Sequence, residues 1–292
     1  GGTVTQIDAG GNITCALLDT GAVRCWGVGN LGQVGYNSMV NIGDNETPAS
    51  QGDVNVGATV QQISVGVNHV CVLTGGNVRC WGNGANGRLG YANLNNIGDN
   101  EFPSAAGPVN VGGTVTKVVA GNDHTCALLT GGAVTCWGFA GSGQLGYANT
   151  TQIGDDETPS AAGTLTIGGT VTELTSNTGS TNCAILSTNT MRCWGFGGAG
   201  RLGYGNTNPI GDDETPASAG DINLGGTPSA PGSGNTHNCA VLTDSGVRCW
   251  GSAASGKLGY GNLVNIGDDE DPADAGDVEV YTAEELATQQ NP

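Results

Sequence analysis

The tripeptide Cys-Trp-Gly recurs five times, starting at Cys25, Cys80, Cys136, Cys193 and Cys249. Successive copies are 55, 56, 57 and 56 residues apart. A period of this size marks a repeat architecture, in which one unit cannot bury its apolar face alone and must stack on its neighbours. All five tryptophans of the 292-residue chain sit in these steps. The chain divides into five repeats (1-56, 57-112, 113-168, 169-225 and 226-280) and a tail, 281-292.

Each repeat carries a second cysteine nine or ten residues before the first. The pairs are Cys15/Cys25, Cys71/Cys80, Cys126/Cys136, Cys183/Cys193 and Cys239/Cys249. One pair per repeat at near-constant spacing reads as five disulfides formed in an oxidising compartment, extracellular or at a cell surface. Placing Cys15 opposite Cys25 sets Ala16 against Arg24 and Leu17 against Val23. The loop Asp19-Thr20-Gly21 remains, with Gly at the position that wants a positive φ. In repeat two the spacing is one shorter, and Gly75-Gly76 suits a two-residue primed turn. Both faces of this strand are apolar (Cys15 and Leu17 on one, Ala16 and Leu18 on the other). Such a strand lies between packed sheets.

Repeat three shows four strand-like pieces: 115–119, 125–129, 133–137 and 165–167. Each is bounded by turn residues. Five units of four strands, and the need to hide sheet edges, predict an all-β, disulfide-stapled β-propeller of five four-stranded blades, with an open arc that closes by oligomerisation as the alternative. Segments 3–7 and 278–280 are expected to meet where the ring closes. Segments 176–182 and 228–234 break the pattern; proline in the latter suits only an edge strand. In the polar tail, Thr282-Ala-Glu-Glu285 has the pattern of a capping box opening a helical turn. That tail is a candidate connector between copies.

Charge narrows the function. Eight Lys and Arg stand against 26 Asp and Glu, a formal charge of −18. Nucleic acid requires a basic surface, so it is excluded as a partner. No apolar run approaches the ~20 residues of a membrane-spanning helix. The acids are not scattered. Thirteen fall in five copies of one turn, Ile-Gly-Asp-Asn/Asp-Glu. Its flanking acids are Asp44 and Glu46, Asp99 and Glu101, Asp155 and Glu157, Asp212 and Glu214, and Asp268 and Glu270. Carboxylates one residue apart on a Gly turn can converge on a hard cation, so these ten are the candidate calcium ligands. A negative ring facing a basic protein is the other functional reading. A turn capped by its own Asp is the plain structural one.

The three histidines, His69, His124 and His237, each precede the first Cys of a repeat by two residues. Zinc would need free thiolates and a fourth ligand; a structural histidine bonded to a neighbouring turn is expected instead. Tyr36, Tyr91, Tyr147, Tyr204 and Tyr260 recur once per repeat and read as inter-blade core. No nucleophile elbow or lone Cys is present, and acids repeated fivefold are unlike an asymmetric active site.

His124-Thr-Cys-Ala-Leu, Val134-Thr-Cys-Trp-Gly and Gly143-Gln-Leu-Gly-Tyr resemble the repeat of the regulator of chromosome condensation family. The likeness recurs in all five units. It implies a β-propeller, typically of seven blades in that family. This chain departs from that pattern in its five repeats, its cysteine pairs and its insertion around Ile153-Gly-Asp-Asp-Glu157, and looks like a secreted bacterial branch. The family's best-known member is a nuclear exchange factor for a small GTPase. Disulfides and the −18 charge do not suit that role. A bacterial relative that inhibits secreted β-lactamases is the nearer analogy. The resulting expectation is a non-enzymatic binding or scaffold protein of a bacterial cell surface or secretome. Its protein partner includes, as one option, copies of itself. A self-associating subunit of filament or surface-layer type stabilised by calcium, and a secreted enzyme inhibitor or hydrolase, are the alternatives.

Overall fold

The computed structural model describes residues 2–281. Five antiparallel sheets follow one another along the chain. Blade 1 contains β1 (Val4–Gly10), β2 (Ile13–Leu18) and β3 (Val23–Gly27). Blade 2 contains β4 (Gln62–Val65), β5 (His69–Thr74) and β6 (Asn77–Gly82). Blade 3 contains β7 (Val115–Ala120), β8 (His124–Leu129) and β9 (Val134–Gly138). Blade 4 contains β10 (Val171–Ser176), β11 (Thr181–Leu186) and β12 (Met191–Gly195). Blade 5 contains β13 (Pro228–Ser233), β14 (His237–Leu242) and β15 (Val247–Gly251).

The hairpins adopt the register read from cysteine spacing. Cys15 pairs with Cys25, Ala16 with Arg24 and Leu17 with Val23. Gly21 takes φ 78°, and Gly75 and Gly76 take 58° and 83°, as the two turn types demand. All five disulfides are closed. The middle strands β5, β8 and β11 are buried along their whole length. β13 forms despite Pro228 and Pro231 because it pairs only with β14 and leaves its other side free.

The fourth expected strand of each blade does not form. Val54, Val109, Leu165, Ile222 and Val278 each donate one backbone hydrogen bond to the third strand, of 2.8–2.9 Å, and the segment then turns away. In blades 1 and 3 the turn is tight: Val56 N–H bonds back to the Val54 carbonyl and Ile167 N–H to the Leu165 carbonyl. An apolar pair such as Val54 and Val56 is buried, but only three residues lie between Asp53 and Gly57, too few to sustain a ladder. The blades are therefore three-stranded. Each is finished by a one-turn helix: α1 (Pro48–Gln51), α2 (Pro103–Ala106), α3 (Pro159–Ala162), α4 (Pro216–Ala219) and α5 (Pro272–Ala275).

The ring does not close either. Packing runs from each blade to the next in sequence. Among the described residues no strand pairing or backbone hydrogen bond joins blade 5 to blade 1. Thr3 bonds to Asp19 of its own hairpin and Val278 to Val247 of its own, not to each other. The turn between blades is set by the side chains packed in each seam, so the number of repeats does not by itself bring the ends together. The molecule is an open arc with blade 1 at one end and blade 5 at the other. The first strands of all five blades line a concave space of about 440 Å³. The capping box expected at Thr282–Glu285 lies outside the described residues.

Candidate functional site: acidic turns and blade seams

The acidic turn is built the same way five times. Ile42, Ile97, Ile153, Ile210 and Ile266 are buried. Each exchanges two backbone hydrogen bonds with the Gly that ends its blade's third strand; Gly27 donates to Ile42 at 2.8 Å and receives at 3.0 Å. The Gly after each Ile takes φ between 90° and 103°. At Gly98, Gly154, Gly211 and Gly267 a Cβ would also run into a carbonyl oxygen of the preceding blade. Glycine is thus required twice over, by conformation and by close approach.

This framework projects the acids. In blades 3, 4 and 5 three carboxylates converge: Asp155, Asp156 and Glu157; Asp212, Asp213 and Glu214; Asp268, Asp269 and Glu270. In each set one oxygen per residue lies within 4.8 Å of the others. Blades 1 and 2 have Asn at the middle position and offer only Asp44 with Glu46 and Asp99 with Glu101. In blade 1 Gly43 N–H donates to Glu46 Oε1 at 3.0 Å, so that Glu caps the turn. Burial, the hydrogen bond with Asp269 and the charges of Asp269 and Asp268 push Glu270 up to about 7. Burial first, then neighbouring acids, raise Glu101, Glu157 and Glu214. One carboxylate oxygen each of Asp99, Asp212, Glu214 and Glu270 is out of solvent with no partner. Crowded carboxylates with unpartnered oxygens suit a hard divalent cation, and the three-acid turns fit it better than the two-acid ones.

Among the described residues no basic side chain neutralises them. Arg24, Arg88, Lys117, Arg192 and Arg248 pair with Asp53, Asp123, Glu173, Asp221 and Asp277. Arg79 donates to the Ser104 carbonyl, Arg201 to the Gly198 carbonyl and Lys257 Nζ to Thr236. Those are all eight basic side chains, and no salt bridge reaches an acidic turn.

The tryptophans occupy the seams. Trp81, Trp137, Trp194 and Trp250 are fully buried. Three of them donate their indole N–H to a carbonyl of the preceding blade: Trp81 to Gln33, Trp137 to Arg88 and Trp250 to Arg201, at 2.9–3.0 Å. Gln6 and Gln62 each make two hydrogen bonds with the first strand of the next blade. Lys117 reaches Glu173 across the third seam.

His69 and His124 bond to the next blade's middle strand, not to a turn as expected, and His237 makes no ring hydrogen bond among the described residues. His69 Nε2 lies 2.9 Å from Thr125 Oγ1, and His124 Nε2 lies 2.9 Å from Asn182 Oδ1. With every cysteine in a disulfide, no thiolate is available for zinc. Burial lowers His124 to about 4, only partly offset by the Asn182 contact, and lowers His69 well below its ordinary value. A depressed folded pKa means stability that is intact above ~6.5 and lost as pH falls toward 4. Denaturant unfolding of the parent and of His124→Gln at pH 7 and pH 4.5 checks this: the parent loses more stability on acidification than the variant.

The tyrosines act within blades, not between them. Each hydroxyl accepts from the backbone N–H of its own blade's second cysteine, as Tyr36 does from Cys25 at 3.3 Å and Tyr260 from Cys249 at 3.1 Å. The hydroxyl also donates to the Gly carbonyl that ends the one-turn helix, as at Gly52 and Gly276. They fasten the acidic loop to the sheet. In blade 4 the irregular stretch is held by Asn177, whose side chain accepts from Gly179 and Thr181 N–H.

Comparison with known proteins agrees with this architecture. A family profile of the regulator of chromosome condensation (RCC1) repeat matches residues 4–33, 60–88 and 115–144, and a second RCC1 repeat profile matches 75–128. The human probable E3 ubiquitin-protein ligase HERC4 is 29% identical over 205 residues, 70% of this chain and 18% of that one. The ultraviolet-B receptor UVR8 of Arabidopsis thaliana is 26% identical over 262 residues, 89% of this chain and 56% of that one. This chain therefore spans less than a fifth of HERC4 and just over half of UVR8. Among solved structures, human WBSCR16 superposes with a TM-score of 0.70 at 22% identity, over 91% of this chain and 66% of that one. Yeast RCC1 (Prp20), solved bound to Kap60, gives 0.71 at 17% identity, over 93% and 61%. Regulator of chromosome condensation repeats thus occupy residues 4–33 and 60–144 of this chain, and its fold is similar to that of these solved structures.

Proposed function

We propose that this chain is a non-enzymatic binding scaffold of a bacterial cell surface or secretome, and that it docks a basic protein partner on its acidic turns. The observation that carries the reading is the unneutralised charge. Thirteen carboxylates recur in five equivalent turns, and none of the chain's eight basic side chains bridges to them. Equivalent positions of successive blades fall on one side of the arc, so the turns add into one negative face. Such a face attracts a basic surface over about one Debye length, ~10 Å at 0.1 M salt. Five disulfides are consistent with an oxidising compartment, and no helix among the described residues is long and apolar enough to cross a membrane. Protein binding also accords with yeast RCC1, whose solved structures concern Kap60, Gsp1p and histones.

Calcium is a second occupant of the same turns, favoured by the unpartnered oxygens of Asp212, Glu214 and Glu270. One calorimetric experiment separates the two. A ten-residue oligolysine is the probe, titrated at 50 and 300 mM salt, with and without calcium. The docking reading expects binding that weakens steeply with salt. It also expects roughly tenfold loss in the variant combining Asp156→Asn, Asp213→Asn and Asp269→Asn, taking about 0.5 kcal/mol per exposed pair. The calcium reading expects direct heats of calcium binding and about 1.4 kcal/mol of stabilisation per site at tenfold excess over Kd. Oligolysine binding indifferent to salt and to the triple substitution would sink the docking reading.

A further inference from the structure

We propose that the segment taken by the acidic face is a cationic amphipathic helix of the partner protein, seated where the loops of blades 1 and 2 meet. The inference rests on the docking reading above and names the chemistry of what docks. Its starting point is where the exposed apolar side chains fall. Six large ones, Met39, Val40, Leu94, Phe102, Leu263 and Val264, lie in the loops that carry the acidic turns, and each is at least 40% exposed. Apolar and acidic residues trade places along this face. Blades 3 and 4 have Thr150 and Thr207 at the loop tip and three acids in the turn. Blades 1 and 2 have Met39 and Leu94 at the same positions and two acids. Phe102 stands where the other blades have Thr47, Thr158, Thr215 and Asp271. Sister blades fold with polar residues there, so the blade itself does not require these apolar ones. Contiguous apolar surface of this kind marks an interaction site.

The first two loops bring these residues together. Ser38 N–H donates to the Gly98 carbonyl at 3.0 Å, which lays the loop tip of blade 1 on the acidic turn of blade 2. Met39 and Val40 therefore stand next to Asp99 and Glu101. Beside that turn lies a cleft of about 330 Å³, lined by Tyr91, Ile97, Ala105, Ala106 and Glu101. Leu94 sits between two further lining residues, Asn93 and Asn95. The Tyr91 hydroxyl is taken up by the Cys80 N–H and the Gly107 carbonyl, so the ring is what it offers the cleft. Asn93 and Asn96 are held within the blade by the Tyr91 carbonyl and the Gly84 N–H.

An apolar wall that ends at a carboxylate matches a lysine, with its methylene stem and charged tip. Asp99 Oδ1 is out of solvent with no partner, and burial, then Asp99, raise Glu101 above its ordinary value. An ammonium beside the two acids offsets their repulsion. Apolar side chains one turn along the same helix then reach Leu94, Phe102 and Met39. An extended polycation meets the charge but leaves those three in water. A second copy of this chain brings the same negative face and is repelled.

The probe is a helical peptide with ten lysines on one face and leucines at i, i+3 and i+4 on the other. Its controls are a shuffled peptide of the same composition and the oligolysine already described. Affinity is read by calorimetry. Location is read by peroxide oxidation of Met39, since the other methionine, Met191, is 1% exposed. We expect the helix to bind at least tenfold more tightly than either control and to slow Met39 oxidation at least tenfold. The variant combining Met39→Thr, Leu94→Thr and Phe102→Thr installs residues that blades 3 and 4 already carry. It should lose the helix's advantage and keep the parent's affinity for oligolysine. Helix and shuffled peptide binding alike, or Met39 oxidised at the free rate under saturating helix, overturns the inference and leaves the docking reading standing. Helix binding that protects Met39 but ignores salt and Glu101→Gln removes the cationic partner, and the docking reading falls with it. A parent chain that dimerises and protects Met39 without peptide assigns the patch to a second copy and overturns the helix as its occupant.

Discussion

Trp137→Ala lowers stability by about 4 kcal/mol, the range for emptying a fully buried large aromatic site. The indole has no solvent exposure, and it lies in the seam between blades 2 and 3. Its N–H is satisfied by the Arg88 carbonyl at 3.0 Å, which already receives Thr125. The alanine therefore loses packing and one bond, but leaves no orphaned acceptor. Gly90, whose φ is 80°, packs edge-on against the same ring, so the backbone cannot close in to refill the space without strain. In an array that is stabilised by neighbour-to-neighbour interfaces, one weakened seam uncouples what lies on either side. Denaturant unfolding of Trp137→Ala should show two transitions where the parent shows one. Trp26→Ala should cost far less, because Trp26 faces no preceding blade. Equal losses for the two substitutions would refute the seam account.

Complete reduction of the disulfides unfolds the chain at 25 °C. Each bridge closes nine or ten residues and, by the loop-entropy estimate, contributes about 2.7 kcal/mol. Five together approach 13 kcal/mol, which is comparable to the whole stability of an ordinary domain, ~5–15 kcal/mol. The order of reduction is also set. The cysteines of blades 1 to 4 have no exposure, whereas Cys239 is partly exposed and Cys249 is 6% exposed at the open end. Timed alkylation and mass spectrometry should find Cys239–Cys249 reduced first, with the native circular dichroism largely kept. The other four should open only with global unfolding. Simultaneous loss of all five, or first loss at Cys15–Cys25, would contradict the arrangement of the ends.

Much of the blade was legible because its determinants are local. Cysteine spacing and the loop glycines are enough to fix the register of a hairpin, and the pairings at Cys15 and Cys71 follow from them. The helices were legible too, in a signal that strand reading passes over. Thr-Pro opens α1, α3 and α4, Gly closes all five, and proline is favoured at the first helical position. The same attention to strand-like composition overstated the fourth strand, since Val54-Asn-Val56 is apolar and alternating but too short for a ladder. The acidic turns were found by their repetition. Their state was not, because the rise of Glu270 to about 7 depends on how Asp268 and Asp269 crowd it in space.

The sequence by itself determined the repeat number, the cysteine pairs, the hairpin turns and the acidic turns, all of which depend on residues within a few positions of one another. Only the tertiary structure decided that the arc stays open and that His69 and His124 serve the next blade. It also decided that Trp26 alone among the tryptophans lacks a neighbour. These depend on contacts about 56 residues apart, and on the angle that each seam imposes. An angle repeated four times gives an arc whether or not its ends meet, and no local pattern states how many repeats would be needed to close it.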